Sequence, residues 1–422
     1  MEIAFIIILL VFSYSSNFEH FSSNFEMNYK KFDTKEIISS LRSSYIEIDA
    51  SFGSKNELFK LILDIDTQAT VIPSIDAECV DGDVHKFDIS KSSTFKNRGS
   101  EVQFLGEKFY EGIKGEDSFK LGNSKDIKNI SFIVANEYLP DICLNIKKYS
   151  FLGLKEQVAN PELESHNIIR QMTSNKLISL PTWFLKFDSY NKGKFIIGAL
   201  PHQIYNNTYN EKYFFNRNFS NQKNMYSLDF DDIYYGKKEE YDKRKSSLIH
   251  KTVIFDLNSR ILQCTDDYGN IIYENFFKEK IEKNICKRKL LEDNYIYYYC
   301  YKDKFNMNEM DNLNFVLQRE DDENMTLIFE PKDLFYEYNN ILYYMIIYKP
   351  NDFIKAPDTY WKVGTLFLEK HLLAFDRDKK LVYVYMNSNE DKKDENTNRY
   401  LNVFVIFIII IAIKVGLSQI II

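Results

Sequence analysis

Leu61 to Ser74 read LILDIDTQATVIPS, and Val253 to Cys264 read VIFDLNSRILQC. In each, a short apolar run suited to a buried strand ends in an aspartate, Asp64 or Asp256. Two positions on stands a turn-capable residue, Asp66 or Asn258, and after it a hydroxyl, Thr67 or Ser259. One aspartate after one strand is ordinarily a turn residue. The same arrangement met twice is an internal echo, and it predicts two similarly built halves that each present a carboxylate. Two carboxylates brought into contact cannot both ionise, so they share one proton. The charged member then polarises a water while the protonated one donates to a carbonyl, which is the arrangement for amide hydrolysis without a metal.

Outward from these loops, Tyr45 to Tyr385 is a succession of short alternating runs: YIEIDASF, LFKLILDI, ATVIPS, ISFIVA, KFIIGA, HKTVIF, LLAF and LVYVY. Asn, Asp, Gly and Lys clusters separate them, so the fold is read as mainly β. Pro161 to Lys176 is the best helix candidate. The Asn-, Tyr-, Lys- and Glu-rich interval from Asn206 to Ser247 is the natural seam between two β lobes, with MYSLDFDDIYYG opening the second. Within the seam, KKEEYDKRK (Lys237 to Lys245) reads as a solvated loop.

Composition sets the limits. Over 422 residues, 45% hydrophobic and 27% charged is an ordinary packed chain, neither disordered nor collagenous. Lys+Arg 54 against Asp+Glu 61 gives a net charge of −7 without a basic block, so no nucleic-acid partner is expected. The five cysteines form no C-x-x-C pair and the six histidines no H-E-x-x-H, so neither a metal site nor a cofactor is implied.

With the loops and strands in place, the chain resembles the pepsin-like aspartic proteases (peptidase A1 type). The resemblance runs in family order through YIEIDASFGSKNELFKLILDIDTQATVIPS from Tyr45, HKFDISKSSTF from His85, GIKGEDSFKLG from Gly112 and SFLGL from Ser150. It continues through LISLPTWFLKFDSYNKGKFIIGALPHQIY from Leu177, the Asp256 loop, and WKVGTLFLEKHLLAFDRDKKLVYVY from Trp361. It implies a bilobal pepsin-like fold with a cleft between the lobes, a polypeptide substrate and a monomer. Asp64 and Asp256 fall on the catalytic pair, Thr67 and Ser259 on the hydroxyls that bond their outer oxygens, and Gly153 and Gly364 on the glycines of the supporting loops. In VQFLGEKFYEG the flap tyrosine position aligns with Leu105, and Gly106 stays in register. In the same family Cys286 and Cys300 often close a local loop.

The departures sit at the site itself. Where the family has Asp-Thr-Gly, this chain has Asp64-Ile65-Asp66 and Asp256-Leu257-Asn258. Lost threonines remove hydroxyl ties to the other lobe, at about 1 kcal/mol each; Ile65 and Leu257 are expected to pack there instead. Asp66 and Asn258 are expected to hold the loop path because Asp and Asn tolerate positive φ best. Asp66 also adds a third carboxylate, which opposes ionisation of the pair. No tryptophan lies near Val71, where the family usually carries one behind the flap. Two readings follow: an active aspartic endopeptidase of unusual specificity, or an inactive relative that binds peptides or partner proteins in its cleft. A purely structural surface protein would make no use of a carboxylate pair.

The ends place the chain in the secretory route. Ile3 to Phe12 is a ten-residue apolar run followed by small polar residues, read as a signal peptide over 1–16. Residues 17–44 are expected to be a short propeptide or linker, or a first strand, 45–205 the N-terminal lobe and 206–385 the C-terminal lobe. Residues 386–400 form a polar spacer. Residues 401–422 are long and apolar enough to cross a bilayer, as a transmembrane anchor or a cleaved glycolipid-anchor signal, leaving the protease-like domain lumenal or extracellular. Four N-x-S/T triplets, at Asn129, Asn206, Asn218 and Asn324, fit a glycoprotein.

Overall fold

The computed structural model of the chain describes residues 19–28, 37–77, 80, 84–105, 108–138, 150–155, 167–209, 214–218, 226–236, 251–318, 324–350 and 360–385. The signal peptide, Cys79 and Cys143, the flap residue Gly106, the first part of the Pro161 to Lys176 stretch, the Lys237 to Lys245 loop, the spacer and the apolar segment 401–422 lie outside them. No helix among the described residues is long and apolar enough to cross a membrane.

The described chain is mainly β, and alternation explains why. In the strand Tyr45–Phe52, Ile46, Ile48, Ala50 and Phe52 are buried while the residues between them are only half covered. Ile168–Ser174 is helical because Asn167 caps it, its side chain accepting from the amides of Ile169 and Arg170.

Among the described residues, the largest sheet has thirteen strands. Near its middle, Phe21–Asn28 pairs antiparallel with Tyr45–Phe52 on one side and with Lys192–Ile197 on the other. One end carries the hairpin Lys96–Leu105 and Lys108–Leu121. The other end is built from late sequence: Leu372–Asp376 pairs with Thr182–Ser189, and Leu381–Tyr385 and Phe214–Asn218 follow. Strands of both halves therefore share one sheet. A nine-stranded sheet and a three-stranded sheet complete the second half.

The internal echo extends to the backbone. In the first half, Glu57–Asp64 lies parallel to Phe151–Gly153, Val71–Pro73 pairs antiparallel with Phe151, and Val71–Pro73 lies parallel to Ile127–Tyr138. In the second, Thr252–Phe255 lies parallel to Trp361–Val363, Leu262–Cys264 pairs antiparallel with it, and Leu262–Cys264 lies parallel to Ile346–Tyr348. Each aspartate thus leaves one strand and the chain returns on a second, with a third strand threaded between them.

Both tryptophans are fully buried, one behind each loop. Trp183 stacks on Phe375 with ring centroids 4.4 Å apart, and Trp361 meets the Tyr268 ring at 4.6 Å. Cys286 and Cys300 face each other across paired strands and form a disulfide, while Cys264 is buried and reduced.

Candidate active site

Asp64 is the last residue of the strand Glu57–Asp64 and is fully buried. Both of its carboxylate oxygens are held: Oδ1 accepts from the Asp66 amide and Oδ2 from the Thr67 hydroxyl, each at 2.8 Å. The neighbouring strand fixes the loop, because Leu154 N–H donates to the Asp64 carbonyl at 2.8 Å and Lys155 N–H to the Thr67 carbonyl at 2.9 Å.

The second loop is also tied to its neighbouring strand, through a different set of bonds. Asp256 N–H donates to the Val363 carbonyl at 2.9 Å and Thr365 N–H to the Ser259 carbonyl at 2.8 Å. Asp256 Oδ1 accepts from the Asn258 amide at 2.8 Å, matching Asp66. At the other oxygen the symmetry breaks. Ser259 is buried on the loop, but Asp256 Oδ2 takes the ammonium of Lys362, 3.0 Å away.

Lys362 also feels charge from both loops. Burial works against its ammonium, but the attraction of Asp256, joined by the charge of Asp66 on the first loop, outweighs it and holds its pKa above the ordinary lysine value.

Each loop needs its glycine. A Cβ on Gly153 would lie 2.4 Å from the Gln68 carbonyl carbon, and one on Gly364 would lie 2.3 Å from the Ser259 carbonyl oxygen. These contacts involve backbone that cannot turn aside. Asp66 and Asn258, by contrast, are not among the positive-φ residues, so the loops keep their path without the left-handed backbone expected of them. Ile65 and Leu257 are buried as expected.

Leu105 closes the strand before the hairpin tip, in register with Lys108. That places the flap position at the end of a long β arm.

Other groups tie the lobes behind the loops. The Tyr226 hydroxyl donates to the Leu154 carbonyl at 2.5 Å, next to the amide that holds Asp64. Arg260 N–H donates to the Leu41 carbonyl at 2.8 Å. The Arg260 guanidinium lies 3.7 Å from the centre of the Tyr190 ring, donates to the Tyr190 carbonyl and pairs with Glu369 at 2.7 Å. Arg377 reaches the Asn167 side chain, whose amide in turn donates to the Gly153 carbonyl.

The family model described as eukaryotic aspartyl protease matches residues 44–384. The chain belongs to the aspartyl protease family. No curated protein matches it. Set against the family pattern, Lys362 is the charged residue on Asp256 that the sequence reading missed. The signal was a charge inside W-K-V-G, where the family carries the apolar W-I-L-G.

Proposed function

We propose that this aspartyl protease family member is a membrane-anchored endopeptidase that hydrolyses peptide bonds with a water activated between Asp64 and Asp256. The observation that carries the reading is the twinned frame: each aspartate ends or directly follows a strand, accepts the amide two residues on, and lies beside a parallel strand that ends in or runs into a glycine. Side chains fixed in this way need little reorganisation when charge moves in the reaction.

In the proposed reaction a water attacks the peptide carbonyl carbon and gives its proton to the ionised aspartate. The protonated aspartate passes its own proton to the carbonyl oxygen. Collapse of the tetrahedral centre breaks the C–N bond as the nitrogen takes a proton, and an acid and an amine leave. One observation favours the other reading: Lys362 on Asp256 occupies an oxygen of the pair. With that oxygen held by the ammonium, the cleft would hold peptides without cutting them.

Incubating the full chain with a mixture of unstructured peptides, between about pH 3 and 7 to span carboxyl titration, separates the two. Cleavage products read by mass spectrometry are expected from wild type and at least about 100-fold fewer from Asp64→Asn or Asp256→Asn. Equal product from all three rejects the peptidase.

Secretory localisation and anchorage belong to the same proposal. They are supported by the apolar ends of the sequence and by Asn129 and Asn206, two glycosylation triplets at exposed positions. Recovery in the detergent phase, with or without release by a phosphatidylinositol-specific phospholipase, distinguishes the anchor types.

A further inference from the structure

The two loops differ at one atom. Thr67 gives its hydroxyl to Asp64 Oδ2, whereas Asp256 Oδ2 receives the Lys362 ammonium at 3.0 Å. Asp66, exposed on the first loop, carries a third carboxylate whose charge acts on Lys362, and Lys362 adds a cation. Three carboxylates, one ammonium and one shared proton carry a net charge of −1, the same as two carboxylates with one proton. The two departures from the family pattern cancel.

We propose that Lys362 is the positioning residue of the pair: it anchors Asp256 in place of the Ser259 hydroxyl, fixes the negative charge on Asp256 and the proton on Asp64, and offsets Asp66. The pH dependence rests on the peptidase reading; the ion pair does not. Asp256 therefore activates the water and Asp64 donates to the carbonyl. The groups acting on the ammonium are Asp256 from its own half, Asp66 from the opposite loop, and Tyr295. Tyr295 is itself faced by the cations of Arg42 and Lys349.

The sign of the effect follows from charge. A cation beside the pair favours its ionised forms and moves both limbs of the activity profile to lower pH; an extra carboxylate moves them to higher pH. Removing the cation in Lys362→Met is expected to shift the profile of kcat/KM upward by about one unit. Asp66→Gly is expected to shift it downward, the double variant to return near wild type, and Lys362→Arg to keep the wild-type profile. A profile unmoved in Lys362→Met, or shifts of the same sign in both single variants, overturns the proposal.

A second measurement does not depend on cleavage. The rate of Lys362 acetylation against pH, followed by mass spectrometry on the full chain, reports its proton directly. In Asp256→Asn its midpoint is expected to fall, because the partner that raises it is gone. An unmoved midpoint overturns the proposal even if the protein cleaves peptides. A lowered midpoint in a protein that cleaves nothing upholds the ion pair and removes the peptidase reading alone.

Discussion

Gly153 and Gly364 show how narrowly the two carboxylates are placed. Each glycine lets one strand pass against the backbone of the loop that carries an aspartate, at separations of 2.4 and 2.3 Å from any added Cβ. Gly364→Ala must push the Ser259 to Ile261 backbone away, and it is expected to destabilise the protein by about 1–3 kcal/mol and to lower cleavage more than stability. Thermal melting beside peptide turnover checks this; a variant that melts and cleaves like wild type would show that the loop has slack. At this scale much was legible. Asp64, Asp256 and Thr67 stand out by type and spacing, and both glycines through the family resemblance. Lys362 did not, because a lysine one residue after a buried tryptophan reads as the solvent side of a strand. Only the pairing of Trp361–Val363 with Thr252–Phe255 turns that side chain onto Asp256.

Among the elements, the strand Phe21–Asn28 bears most on what precedes Tyr45. Residues 17–44 read as a propeptide, a linker or a first strand, and in the fold Phe21, Phe25 and Met27 are buried and the strand is paired on both edges. The alternation in FSSNFEMN is weakened by Ser23, a polar residue at a buried position; pairing across the chain decided the outcome where local propensity did not. A chain starting at Tyr45 would leave two strand edges open inside the sheet. It is expected to be recovered aggregated or unfolded, while one starting at Glu19 folds. Circular dichroism and gel filtration of the two products decide the matter. The eight strand runs named from sequence all fall on observed strands, because period-2 alternation against a core is a local signal. The sharing of a sheet between early and late strands is not local and left no trace in any single run.

Across the whole molecule, two half-buried titratable groups in the segment after Gly364 set opposing pH trends. Burial lifts Glu369 to about 7, with Asp333 adding to the rise and Arg260 opposing it. A folded value above the ordinary 4.5 means that its contribution to stability is fully present below 4.5 and is lost as pH rises through about 7. His371 lies against the Phe329 and Phe367 rings, and burial with nearby Lys370 lowers it to about 3. Its contribution is present above 6.5 and lost as pH falls toward 3. Glu369→Gln removes the acid-side gain and leaves the loss. The melting temperature of that variant is expected to fall further behind wild type as pH drops from 7 to 4.5; a constant gap would show that Glu369 titrates like an ordinary carboxyl. The continuous sheet has one more outcome. Because Leu372–Asp376 is hydrogen-bonded to Thr182–Ser189, a backbone nick between residues 237 and 250 would not release the halves. The two fragments would copurify and come apart only in denaturant, so gel bands suggesting a two-subunit protein would be the signature of a single clipped chain.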